Sequence, residues 1–222
     1  MNKRNEVMLL ILGCLGAFAG CFGVNMFNQY CLMSFPLIAR MVLMIISYWL
    51  FAMVPIIIIL VTKNKDGVLS FSKKNIGSQI LIGIAAGLIL SAAYFLVPYF
   101  MGFGEFVENG RRYTHLWQFA FELFYLIVAV GAVEEIVFRG FVYTKLKNIF
   151  SNEWVAIIVS SVLFGFFHIF VGNIVQVCIT TIIGFLFCLV RYKFKKCSML
   201  SLILMHGIYD FMLTLYSSLL IK

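Results

Sequence analysis

The sequence predicts an all-α fold, a polytopic bundle of transmembrane helices, on three observations. First, 63% of the 222 residues are hydrophobic and only 12% are charged, where a soluble domain carries about 25%. A mean hydropathy of +1.04 agrees, and too little polar surface remains to coat a globule. Second, apolar runs of about 20 residues, the length that crosses the hydrocarbon core as a helix, recur along the chain. Third, the basic residues behind the net charge of +8 sit in short loops between those runs. No basic face is built, so no nucleic-acid partner is expected; the expected partners are membrane lipids.

Seven spans follow in order. The first runs from Val7 to about Met26, the second from about Leu37 to Val61 and the third from Ile76 to about Phe100. The fourth starts near Leu116 and carries a Glu-Glu pair towards its end. The fifth covers roughly Trp154 to Phe170, the sixth Ile174 to Val190 and the seventh Met199 to Leu220. Pro55, Pro98 and the glycines of the third span are candidate break points. Phe18-Ala19-Gly20-Cys21 has some likeness to a lipid-attachment signal, but the apolar run continues past Cys21, so the segment is kept as a span. The chain reads as a single membrane domain, 1–222.

Loop charge sets the orientation. Lys3 and Arg4 precede the first span; Lys63, Lys65, Lys73 and Lys74 follow the second. Arg139, Lys145 and Lys147 follow the fourth, and Arg191, Lys193, Lys195 and Lys196 follow the sixth. In the alternate loops Arg111 and Arg112 are offset by Glu105 and Glu108. Basic loops stay cytoplasmic, so a cell-membrane protein with a cytoplasmic N-terminus and an outside C-terminus is expected. Six cysteines form no CxxC pair and read as buried small apolar residues.

Polar residues inside spans are few and can be weighed singly. Glu134 and Glu135 are adjacent in an apolar run, where each charge costs a few kcal/mol or more. Arg139 is four residues after Glu135, so those two share a helix face and can pair. Glu134 points about 100° away and needs a partner from another segment. Glu122 reads as a hydrogen-bonded structural acid, His115 as a surface residue, and Arg40 as a residue that snorkels to the interface. His168 lies inside the fifth span. His206 lies in the seventh, with Asp210 four residues on and on the same face.

A carboxylate and an imidazole can hold and deprotonate one water. A second imidazole can donate to the oxyanion formed when that water attacks a peptide carbonyl. These are the parts of water-mediated amide hydrolysis. Glu134, His168 and His206 are also a plausible zinc set, although the local HExxH arrangement is absent. No cofactor is expected, with zinc as the alternative.

Glu134-Glu135-x-x-x-Arg139, Phe164-x-x-x-His168 and His206-x-x-x-Asp210 resemble, in order, the three motifs of the CPBP (Abi, type II CAAX-protease) family. The resemblance covers about Leu116 to Leu215 and implies an intramembrane endopeptidase with its catalytic core over 116–220. By motif position Glu134 and His168 activate the water, His206 with Asp210 forms the oxyanion side, and Glu135 with Arg139 supports them. The family's last motif often ends in Asn. An ionised Asp210 cannot donate to an oxyanion, so it either carries a proton or orients His206. The expected substrate is a membrane-associated peptide or protein rather than a prenylated tail. Two other functions stay open: a non-catalytic immunity or scaffold protein, and a proton-coupled transporter.

One expectation concerns depth. With these spans Glu134 lies near the cytoplasmic end of its helix, while His168 comes about 14 residues, or roughly 21 Å, after the start of its own. The two meet only if the fourth helix extends through Arg139 towards Leu146 and the fifth starts nearer Ile157. The site then falls in the cytoplasmic half.

Overall fold

A computed structural model describes residues 2–63, 71–107, 110, 113–170 and 172–221. Lys65, Glu108, Arg111 and Arg112, which enter the loop-charge argument, lie outside the described residues. The described residues contain no strand. In chain order the helices are α1 (Lys3–Tyr30), α2 (Leu37–Phe51), α3 (Met53–Val61), α4 (Ile76–Phe100), α5 (Leu116–Tyr125), α6 (Ala132–Glu135), α7 (Tyr143–Phe150), α8 (Glu153–Phe167), α9 (Ile174–Lys193) and α10 (Met199–Leu220). Two π-helical stretches, Leu126–Gly131 and Ile136–Val142, flank α6.

Five helical segments among the described residues are long and apolar enough to cross a membrane, or six with the bent pair α2–α3 counted as one span. The fourth expected span is present as a helical run whose α-helical pieces are separated by the π stretches. The second span breaks at Ala52 with a bend of 52°. Pro55 explains it: in the first turn of α3 it has no N–H to give to the carbonyl of Phe51. By contrast α4 runs unbroken through its glycines and Pro98. α1 continues through Cys21 to Tyr30.

The chain divides into two compact units, Met1–Ser70 with Val133–Lys195, and Phe71–Ala132 with Lys196–Lys222. In the first, α1 packs on α2, α3 and α7, and α8 packs on α7 and α9. Glycines set the closeness of α1. A methyl group on Gly13 would stand 2.2 Å from the Phe141 ring, and one on Gly20 would stand 2.9 Å from the Leu50 carbonyl. Glu6 of α1 and Lys145 of α7 form a buried ion pair at 2.9 Å. Phe51, Phe138, Phe141, Ile157 and Phe164 lie in the apolar core.

The turn between α7 and α8 is short because Ser151 takes the left-handed conformation at φ 52° and Asn152 caps α8. The Asn152 side chain accepts from the backbone N–H groups of Trp154 and Val155 at 2.9 and 3.3 Å. The fifth helix therefore starts at Glu153, not nearer Ile157 as expected. The fourth helical run does extend past Arg139 and Leu146, to Phe150.

In the second unit α4 packs along α10, and α10 also packs on the first π stretch. Gly83 and Gly87, one turn apart, face the backbone of α10: added methyls would lie 2.7 Å from the Ser201 carbonyl and 2.8 Å from that of Met205. Close backbone approach through small residues is the usual packing solution in lipid, where apolar burial gives no drive between helices. Gln79, buried on α4, accepts from the Ser198 hydroxyl at the start of α10. All six cysteines are free thiols, but only Cys188 is buried; Cys31 and Cys178 are exposed, against the expectation of burial.

Candidate active site

The Glu-Glu pair sits on the four-residue α turn of α6, between the two π stretches. A π insertion shifts the register of everything after it and is frequent at functional sites. Glu134 is 5% exposed, Glu135 0% and Arg139 1%. The expected Glu135–Arg139 pair forms, Nη1 to Oε1 at 2.9 Å. Arg139 does more than neutralise Glu135. Its Nη2 donates to the Gly184 carbonyl of α9 at 3.1 Å, and its guanidinium lies 4.3 Å from the Phe164 ring centroid and 5.2 Å from that of Phe187. Gly184 has to be small there, since a methyl on it would stand 2.8 Å from the Phe164 ring and 3.3 Å from Nη2. Arg139 thus ties α8 and α9 to the helical run that carries the carboxylates.

Glu134 finds the outside partner its position demands: the Tyr48 hydroxyl of α2 donates to its Oε1. His168, expected inside the fifth helix, caps the C-terminus of α8 and opens a 3-10 turn, His168–Phe170. Its Nδ1 lies 2.9 Å from the Phe164 carbonyl. A carbonyl only accepts, so Nδ1 carries the proton and the neutral ring keeps its lone pair on Nε2.

Glu134 and His168 line one cavity of about 100 Å³, together with Tyr48, Asn25 and Asn28 and the apolar side chains of Cys21, Val24, Phe51, Phe138 and Phe167. The hairpin of α7 and α8 explains the meeting. Glu134 lies 16 residues before the end of α7 and His168 lies 15 after the start of α8, so both legs climb from the turn to the same level. Sequence reasoning missed Tyr48, Asn25 and Asn28. The only signal for them was the demand for a partner to Glu134, which does not say from which helix it comes.

His206 and Asp210 lie in the second unit. His206 is 4% exposed, with Nε2 3.4 Å from Asp210 Oδ2. Gly207 fixes its height: a methyl there would stand 2.6 Å from Ile127 Cγ1 and 2.8 Å from Ile127 Cα, in the first π stretch. Glu122 is buried and accepts from the Tyr113 hydroxyl at 3.1 Å, as expected of a structural acid. His115 is exposed at the N-terminus of α5. Among the described residues no three His, Cys, Asp or Glu side chains group so as to hold a metal ion.

Apolar helices that expose their large side chains while burying carboxylates and an arginine define a multi-pass membrane protein. Residues 116–212 match the family described as "Type II CAAX prenyl endopeptidase Rce1-like". The match over residues 116–212 supports the CPBP (Abi, type II CAAX-protease) family and, at family level, an intramembrane endopeptidase. No curated protein and no solved structure matches the chain. The matched stretch begins after α4, so Tyr48, Asn25 and Asn28 lie outside it.

Proposed function

We propose that the chain hydrolyses a peptide bond of a membrane-associated peptide or protein with a water activated by Glu134 and His168. The observation that carries this reading is the shared cavity: a buried carboxylate and an imidazole whose Nε2 lone pair is left by the Nδ1 hydrogen bond to Phe164. In the first step Glu134 takes a proton from the water, His168 Nε2 accepts the second hydrogen bond, and the oxygen attacks the carbonyl carbon. A tetrahedral intermediate forms, its oxyanion receiving a hydrogen bond from His206. Glu134 then returns the proton to the leaving amine as the C–N bond breaks. Asp210, with Oδ2 3.4 Å from Nε2 of His206, orients the ring for that donation.

The roles of His206 and Asp210 rest on motif position, and the metal-free chemistry is part of the proposal. The N-terminus is cytoplasmic and the C-terminus outside, on the distribution of loop charge. The decisive experiment compares membrane peptidomes of cells carrying the wild type and Glu134→Gln, followed by cleavage of the identified peptide by purified protein, with and without a prenyl group. Products that disappear in Glu134→Gln support the proposal. Identical peptidomes at equal protein levels would leave an immunity, scaffold or transport role instead.

A further inference from the structure

The geometry points to Tyr48 as a positioning residue for Glu134, supplied by a helix outside the family-matched stretch. The inference rests on the reading of Glu134 as the base. The phenol of Tyr48 donates to Glu134 Oε1 across 86 residues of sequence. That engages Oε1 and holds the plane of the carboxylate. A base that must meet one water at a set angle needs its carboxylate held in one orientation, and a fixed donor from a packed helix does that.

The phenol is itself held. The Tyr48 ring meets Phe51 edge-on, centroids 6.1 Å apart at 85°. Phe51 in turn packs on Phe138 at 6.1 Å and on Phe167 at 5.8 Å. Phe138 lies four residues after Glu134, and Phe167 immediately precedes His168. One aromatic cluster therefore joins the donor, the base and the imidazole. The bend at Ala52 belongs to this arrangement, because it ends α2 directly behind Phe51. Gly20 allows it as well: a methyl there would lie 2.9 Å from the Phe51 Cα.

Tyr48→Phe removes the hydroxyl and keeps the ring in its cluster. The experiment uses the purified full-length protein in lipid and the peptide substrate identified by the peptidome comparison. Three quantities are measured: kcat and KM, the melting temperature, and the infrared carboxyl band of Glu134, identified by its loss in Glu134→Gln. The expected result is a kcat lower by about 10- to 100-fold, the loss of one hydrogen bond to a charged group. KM and melting temperature should stay as in the wild type, and the Glu134 band should move. An unmoved band would overturn the contact. A raised KM at unchanged kcat would make Tyr48 a substrate contact and overturn the positioning role. A wild type that cleaves nothing removes the parent reading and the positioning role together. An active wild type with unchanged kcat in Tyr48→Phe removes the positioning role alone.

Discussion

At the scale of single residues, the site depends on how each polar side chain is fixed. His168 has its Nδ1 committed to the Phe164 carbonyl, so its free lone pair can only be on Nε2. Replacing His168 or Glu134 by Ala should lower cleavage by about 10²–10⁴-fold, the worth of general-base catalysis, while the protein still inserts and accumulates. Near-normal turnover by either purified variant would remove the assignment. Asp210 separates two chemistries. At 3.4 Å from Nε2 of His206 it is placed to orient the ring. Asp210→Asn keeps the shape and an acceptor and should retain much of the activity; Asp210→Ala should lose about 10²–10³-fold, as for a lost oxyanion donor. Assays run with a chelator test the metal-free chemistry alongside. An inactive Asn variant, with chelator sensitivity reversed by zinc, would replace it with a metal mechanism.

Among elements, the Arg139 cluster and the glycine contacts hold the helices in register. Arg139 is buried with Glu135 and bonds the backbone of α9. Removing one partner of a buried ion pair leaves an uncompensated charge and costs about 3–5 kcal/mol, whereas replacing both by apolar residues of like volume is often neutral. Arg139→Ala should therefore melt far below the wild type in detergent. The double variant Glu135→Leu with Arg139→Met should recover most of the loss in melting temperature. A double variant as unstable as the single one would show that the bond to Gly184, not the ion pair, carries the stability. In the second unit Gly207→Ala would drive a methyl into Ile127. Overpacking of this kind costs about 1–3 kcal/mol, so a lower melting temperature is expected together with loss of activity, since His206 is the adjacent residue.

At the scale of the whole molecule, the described surface is apolar as well as the core, and charged side chains are buried inside. Leu15, Leu60, Leu81 and Ile89 are 61–68% exposed, while Glu6, Glu122, Glu135, Arg139 and Lys145 are at most 4% exposed. Such a surface is stable against acyl chains and a liability in water. Topology follows from the loops: Lys73, Lys74, Lys147 and Lys195 face the cytoplasm in the proposed orientation. Accessibility of single cysteines introduced at Lys74 and Lys195, in intact cells with a membrane-impermeant reagent, should show no labelling before the cells are opened. Labelling of both from outside would invert the orientation.

Composition and the spacing of apolar runs determined the helical membrane class by themselves, because the bilayer fixes helix length and excludes other spanning structures in a chain of this hydropathy. The i, i+4 spacing likewise determined the Glu135–Arg139 and His206–Asp210 pairs, because both partners ride on one helix. Sequence also showed that Glu134 needs a partner from elsewhere. Only tertiary structure decided that the partner is Tyr48, since helix packing brings together residues with no relation in spacing. The start of α8 is a local matter visible after the fact: Asn152 is a cap, but a cap residue in a polar turn is not distinguishable from an ordinary loop residue until its bonds are seen. The break at Pro55 and the continuity of α4 through Pro98 differ for a reason sequence does not contain. A proline's missing bond bends a helix where its neighbours accept the bend, and α2, α3 and α4 meet different neighbours.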